Sequence, residues 1–250
     1  MTIYFAIVFF MFGTVFGSFF NVVGLRVPKG MMFESERSYC PSCSHQLRAC
    51  ELIPVLSYVI QRGKCRHCRA RISPMYPFIE SVTGLLFASA FLYFGLHLEL
   101  ITALLLISML MIVWVTDLSY MIIPDKVLLF FLPFFLIMRV LSPLEPWYDA
   151  LIGAVVGFVV LAGIILVSKG GMGGGDMKLF AVLGIVLGWK ATLLTLFLAS
   201  LLGAVIGGII LLIQQADRKQ PIPFGPYIIV AALISYFYSE EIFSLYVLLF

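Results

Sequence analysis

The sequence is poor in charge: of 250 residues, 16 are Lys or Arg and 13 are Asp or Glu, only 12% together against an apolar fraction of 62%. A soluble domain carries about twice that share of charge, so a water-soluble fold is excluded. The sequence has no G-x-x-x-x-G-K-[ST] loop, no H-E-x-x-H pair and no Rossmann glycine fingerprint, which removes the commonest nucleotide-binding and zinc-protease readings. The first apolar run has neither a basic n-region nor an A-x-A site, so Met1–Gly24 is expected to remain as an anchor and not to be removed as a signal peptide.

What is present is a series of apolar runs of membrane-spanning length. They predict helices near 3–24, 77–95, 98–116, 127–141, 149–168, 177–189, 191–213 and 224–239, with a short apolar tail to Phe250. The run at 177–189 is short and carries Gly184 and Gly188, so seven spans plus a re-entrant segment is the alternative count. The expected fold is an all-α polytopic membrane protein of about eight transmembrane helices. Its expected domains are a first anchor over 1–25, a cytosolic four-cysteine loop over 26–76 and a membrane core over 77–250. Placing segments 25–76, 117–126, 169–176 and 214–223 in the cytosol puts all the Lys and Arg there or in their flanks except Arg139 and Lys190. The positive-inside rule then sets the amino terminus outside a plasma membrane. The net charge of +3 accordingly reflects topology and attraction to anionic lipid, and implies no nucleic-acid partner.

Against this background two aspartates stand out: Asp117 at the end of one apolar run, and Asp176 in Gly173-Gly174-Gly175-Asp176-Met177-Lys178. Ionisable groups at membrane depth are expensive and mark functional sites by default, although span-end aspartates often simply face water. Two carboxylates close enough to share one proton form an acid/base pair, one drawing a proton from water while the other polarises a scissile carbonyl. Asp125, eight residues after Asp117, competes for the role and is expected to serve as a helix N-cap. Lys178 is expected to tune Asp176, to bind a phosphate head group or to snorkel.

The polar loop has its own chemistry. Cys40-Pro-Ser-Cys43 and Cys65-Arg-His-Cys68 are two C-x-x-C knuckles about twenty residues apart, the spacing of a zinc ribbon with a closed four-thiolate shell. Such a site is structural, because no coordination position stays open. Disulfides are disfavoured in a reducing compartment. His45 or His67 could replace a thiolate, and Cys50 is expected to be a small buried or interfacial side chain. The apolar stretch Leu52-Ile53-Pro54-Val55-Leu56-Ser57-Tyr58-Val59 is expected to lie on the ribbon or on the membrane face.

Taken in order, the motifs resemble the type IV prepilin peptidases, also called prepilin leader peptidase/N-methyltransferases. The resemblance runs through Gly17-Ser18-Phe19-Phe20-Asn21, the two cysteine pairs, Tyr76-Pro77-Phe78-Ile79-Glu80, Asp117 with Ile123-Pro124-Asp125, Gly173-x-Gly175-Asp176, and Pro223-Phe224-Gly225-Pro226-Tyr227. It looks most like the competence-linked members of Gram-positive bacteria. It implies an aspartic endopeptidase with Asp117 and Asp176 catalytic, structural Zn2+ on Cys40, Cys43, Cys65 and Cys68, and type IV prepilin or pseudopilin precursors as substrates. It also implies S-adenosylmethionine as donor for N-methylation of the new terminus, with Glu51 and Glu80 as acids that could orient a cation or pair with nearby arginines. Two positions depart from the pattern: Glu51 stands where many relatives carry Asn, and Gly24 where an aliphatic residue is usual. A transporter moving protons or cations through Asp117 and Asp176 would leave the cysteine ribbon unexplained. A scaffold recruiting partners through the ribbon would leave the Gly-Gly-Gly-Asp motif unexplained.

Overall fold

The computed structural model describes residues 1–31, 38–168, 173–214 and 223–249. Its elements are helices: α1 Thr2–Arg26, the short α2 Leu56–Ile60, α3 Met75–Phe94, α4 Leu98–Tyr120, α5 Asp125–Leu141, α6 Asp149–Val167, α7 Gly174–Gln214 and α8 Gly225–Leu249. Chains this apolar become helical because hydrocarbon leaves each segment to satisfy its own backbone groups. Among the described residues, six of these helices are long and apolar enough to cross a membrane. α5, with 17 residues and Pro133 inside it, falls just short of that length. The helix expected to end at 239 continues to Leu249, since the glutamates at 240 and 241 favour helix. Of the expected cytosolic segments 169–176 and 214–223, residues 169–172 and 215–222 lie outside the described residues.

α7 is two helices and not one. Gly188 adopts φ 76, ψ 171, a conformation that favours glycine and breaks the ladder. A Cβ on Gly157 of α6 would meet both Phe180 and, at 3.3 Å, Thr192. In one straight helix those residues would stand about 18 Å apart, so the chain folds back at Gly188. The helices expected at 177–189 and 191–213 are these two arms, and all eight expected segments are present.

The chain packs as two compact units, Met1–Val115 and Thr116–Phe250. In the first, α1 approaches α3 through Gly13 and Gly17: added Cβ atoms would lie 2.7 Å from the Gly84 Cα and 2.8 Å from the Glu80 Cα. This is a small-residue stripe of the G-x-x-x-G kind, which brings backbones into van der Waals contact where lipid supplies no hydrophobic drive. Phe9 stacks on Phe91 with ring centres 4.9 Å apart. Gly24 faces Val115, 2.6 Å from where its Cβ would stand, so an aliphatic side chain has no room at this position.

The second unit repeats the device. A Cβ on Gly153 of α6 would strike the Gly184 backbone, and the reverse holds as well. Charged side chains tend the break at Gly188. Arg139 near the end of α5 donates to the Val186 carbonyl at the finish of the first arm. Asp149 at the start of α6 lies against Gly188 and takes the Trp189 N–H at the beginning of the second. Each helix end thus meets the sign of charge its dipole favours.

Candidate active site

Asp117 sits in the last turn of α4 and is only 6% exposed. The helix stops shortly after it, at Met121, where φ is 55. Asp117 Oδ2 accepts the backbone N–H of Gly225 at 2.9 Å. Gly225 is the first residue of α8, so a helix N-terminus, with its unpaired amides and positive dipole end, points at this carboxylate. Only glycine fits there, because a Cβ would lie 2.5 Å from Oδ2 and 2.7 Å from Cγ of Asp117.

Asp176 is the third residue of α7 and half-buried. The backbone of Gly173 bonds its carboxylate, and the charge of Asp117 acts directly upon it. Asp117 and Asp176, separated by 59 positions in the chain, are therefore electrostatic neighbours. Gly175 packs on Ile123, whose Cβ is 3.0 Å from the site of an added Cβ. The Ile123-Pro124-Asp125 element is in this way the wall against which the glycine turn before Asp176 is laid.

Asp125 does not take the expected N-cap role. It is the first residue of α5 after Pro124, and no side-chain cap bond forms. Its carboxylate instead binds Lys178 Nζ at 2.7 Å, with the two side chains 55% and 49% exposed. Lys178 thus pairs with Asp125, an exposed contact of small energetic value. The Pro223–Tyr227 motif carries no assigned role in the sequence alone. Its role here is the Gly225 amide, and the signal was a Gly-Pro step opening a helix.

The cysteine knuckles are built alike. Cys40 N–H bonds the His45 carbonyl at 2.9 Å, and Cys65 N–H bonds the Ala70 carbonyl at 2.9 Å. Ser44 and Arg69, four residues after each leading cysteine, both have positive φ, at 55 and 59. The four Sγ atoms of Cys40, Cys43, Cys65 and Cys68 lie within 4.8 Å of one another. The 3.8 Å between Cys40 and Cys68 matches the edge of a tetrahedron whose metal–sulfur bonds are about 2.3 Å. It is far beyond a disulfide bond length. The amides of Ser42 and Cys43 lower the Cys40 thiol to about 7. The His45 amide pulls Cys43 down, but desolvation and the thiols of Cys68, Cys40 and Cys65 together push it up to about 12. Four thiolates this close need a cation between them, so the donor set fits zinc. His45 and His67 take no thiolate's place: their rings stack on each other at 5.0 Å. Cys50 is exposed, which excludes the buried one of its two expected settings, buried or interfacial.

Glu51 and Glu80 pair with backbone amides and, among the described residues, not with arginine side chains. Glu51 Oε2 accepts the Arg48 N–H at 2.9 Å, and Glu80 Oε2 accepts the Val55 N–H at 2.7 Å. Asn21 on α1 donates to the carbonyls of Gly17 and Tyr76, each at 3.2 Å, while its buried Oδ1 has no partner among the described residues.

Two family models match the chain: the bacterial peptidase A24 N-terminal domain over residues 11–94 and the type IV leader peptidase family over residues 104–208. A prepilin leader peptidase/N-methyltransferase of Bacillus subtilis (strain 168) is 46% identical over 95% of this chain and 96% of its own length. Proteins of the same name from Aeromonas salmonicida (strain A449) and Pseudomonas aeruginosa are 36% and 35% identical, over 96% and 94% of this chain and 92% and 91% of their own lengths. No solved structure matches the chain.

Proposed function

The chain belongs to the type IV leader peptidase family of aspartic peptidases, and on that premise we propose that it removes the basic leader of type IV prepilin-like precursors with Asp117 and Asp176 as the catalytic pair. The observation that carries this reading is the juxtaposition of the two carboxylates at helix ends distant in sequence. In the proposed reaction one carboxylate takes a proton from water, and the other, protonated, hydrogen-bonds the carbonyl of the scissile peptide. The hydroxide adds to the carbonyl carbon, the oxyanion collapses with cleavage of the C–N bond, the amine leaves with the proton taken from water by the first carboxylate, and the pair is restored. Gly225 N–H holds Asp117 in place. The glycines before Asp176 leave room for an extended substrate backbone.

The substrate of this reading is a short basic leader followed by an apolar helix, presented at the cytosolic face of the plasma membrane. The distribution of Lys and Arg supports that face. Zinc, held by Cys40, Cys43, Cys65 and Cys68, would supply folding energy to the loop and no open coordination position. S-adenosylmethionine, when bound, supplies the methyl group for the new terminal amine. Glu80 and the unpartnered Asn21 Oδ1, both on the α1–α3 seam, are the acceptors in the first unit that suit a cationic donor or amine.

The test is cleavage of a prepilin-like precursor by detergent-purified protein alone. Cleavage at the leader junction is expected. A pure, folded preparation that leaves the precursor intact while conducting protons or cations in vesicles would replace this reading with the transporter.

A further inference from the structure

The short helix α2 and the residues before it form the largest run of apolar side chains that the cysteine loop leaves uncovered. Leu52, Ile53, Leu56, Val59 and Ile60 are all exposed, the last three at 59%, 64% and 68%. In a membrane span such exposure is ordinary, because lipid covers it. Here it occurs in a polar loop, where water would otherwise meet these side chains.

Two further observations say what covers them. The first is depth. The start of α2 is pinned by the Val55 N–H to Glu80 Oε2, 2.7 Å, and Glu80 is the sixth residue of α3, about 7 Å along that helix at 1.5 Å per residue. Ser18 of α1 reaches the same carboxylate, although α1 runs on to Arg26. α2 therefore begins alongside the first turns of α3 and about two turns short of the end of α1, at the level of the lipid head groups and upper chains, and not out in the water. The second is charge. Between residues 38 and 74 the loop carries Arg48, Arg62, Lys64, Arg66, Arg69 and Arg71, all exposed, and its one acid is the buried, amide-bound Glu51. Val55 itself has a φ of 61, a strained value for a β-branched residue, which the Glu80 bond holds in place.

We propose that Leu52–Ile60 is an interfacial anchor: α2 lies in the plane of the bilayer with Leu56, Val59 and Ile60 in the acyl boundary, and the surrounding cations bind anionic lipid head groups. Apolar residues on a short helix beside basic ones suit an interfacial segment, and the excess of basic side chains between residues 38 and 74, six against the one buried Glu51, makes an anionic leaflet its complementary surface. The anchor fixes the loop on the membrane beside α1 and α3. It is independent of the peptidase reading, because it rests only on membrane insertion of the first unit.

The experiment places tryptophan at Val59 or Ile60 (Val59→Trp, Ile60→Trp) in the full chain. Both positions are exposed, so the ring is accommodated without repacking. Each variant is reconstituted in phosphatidylcholine vesicles, or in equal parts phosphatidylcholine and phosphatidylglycerol, with acyl chains brominated at shallow or deep positions. Wild type supplies the background of Trp114, Trp147 and Trp189. The added emission is expected to be blue-shifted and quenched most by bromines within about 5–10 Å of the head-group boundary. Phosphatidylglycerol should strengthen the quenching, and Arg62→Gln with Lys64→Gln should shift the docked fraction back roughly fivefold per charge removed. Water-like, unquenched emission from both positions overturns the proposal. So does quenching that ignores phosphatidylglycerol, which removes the lipid-charge half. Protection that vanishes on diluting the protein among vesicles overturns it too, by assigning the face to a second copy.

Discussion

At the scale of single residues the second unit joins groups that distance in sequence would keep apart. Asp117→Asn and Asp176→Asn should each lower leader cleavage by roughly 100-fold or more, the usual worth of a positioned proton-transfer group, with insertion and abundance unchanged. Robust turnover by either variant removes the aspartic mechanism. Asp125→Asn should keep most activity, because its carboxylate is engaged by Lys178 at the surface. Gly225→Ala is the sharper probe of geometry: the new methyl group would press on Asp117 Oδ2 and Cγ, so cleavage should fall steeply while the protein stays inserted. An alanine variant with full activity would show that the Gly225 amide does not set the aspartate's position.

At the scale of elements, glycine stripes and charged caps decide how the helices meet. Arg139 binds the Val186 and Ser142 carbonyls, so Arg139→Met removes the donor to the buried Val186 carbonyl, a cost of about 1–3 kcal/mol. The expected outcome is a lower unfolding temperature in detergent. Because the break at Gly188 terminates the arm that carries Asp176, cleavage is expected to weaken as well. Gly153→Leu should do more damage than either, since the side chain would enter the Gly184 backbone. Unfolding curves that match wild type for both variants would contradict this account of the α6–α7 seam. These stripes were readable as Gly13-x-x-x-Gly17, Gly153-x-x-x-Gly157 and Gly184-x-x-x-Gly188, a signal that span-finding by hydropathy passes over because glycine barely changes the apolar average.

At the scale of the whole molecule, metal and methyl transfer can be separated from proteolysis. Purified protein should carry close to one zinc per chain. Its removal by chelator, or Cys→Ser at 40, 43, 65 or 68, should expose the loop to protease, since metal supplies on the order of 10 kcal/mol to folding in such modules. Cys50→Ser should change nothing, as that side chain is exposed and apart from the cluster. A protected loop without metal would refute the ribbon. For methylation, labelled S-adenosylmethionine and a pre-cleaved pilin peptide should give incorporation by Asp117→Asn protein but not by Glu80→Gln protein. Efficient leader cleavage without any incorporation by wild type would leave the chain a peptidase alone.

The sequence by itself determined the class, the spans and the residue types of both sites. These depend on local quantities: apolar length against bilayer thickness, glycine beside aspartate, and thiols at knuckle spacing. Even the break between 177–189 and 191–213 was legible, because Gly188 interrupts the run. Only the tertiary structure decided what each polar group faces. Asp125 turned to Lys178, Glu51 and Glu80 turned to backbone amides, and Asp117 received the amide of Gly225, 108 residues away. A charged side chain in an apolar surrounding takes whichever partner packing brings within about 3 Å. That choice is made by helix–helix contacts, which no local pattern encodes.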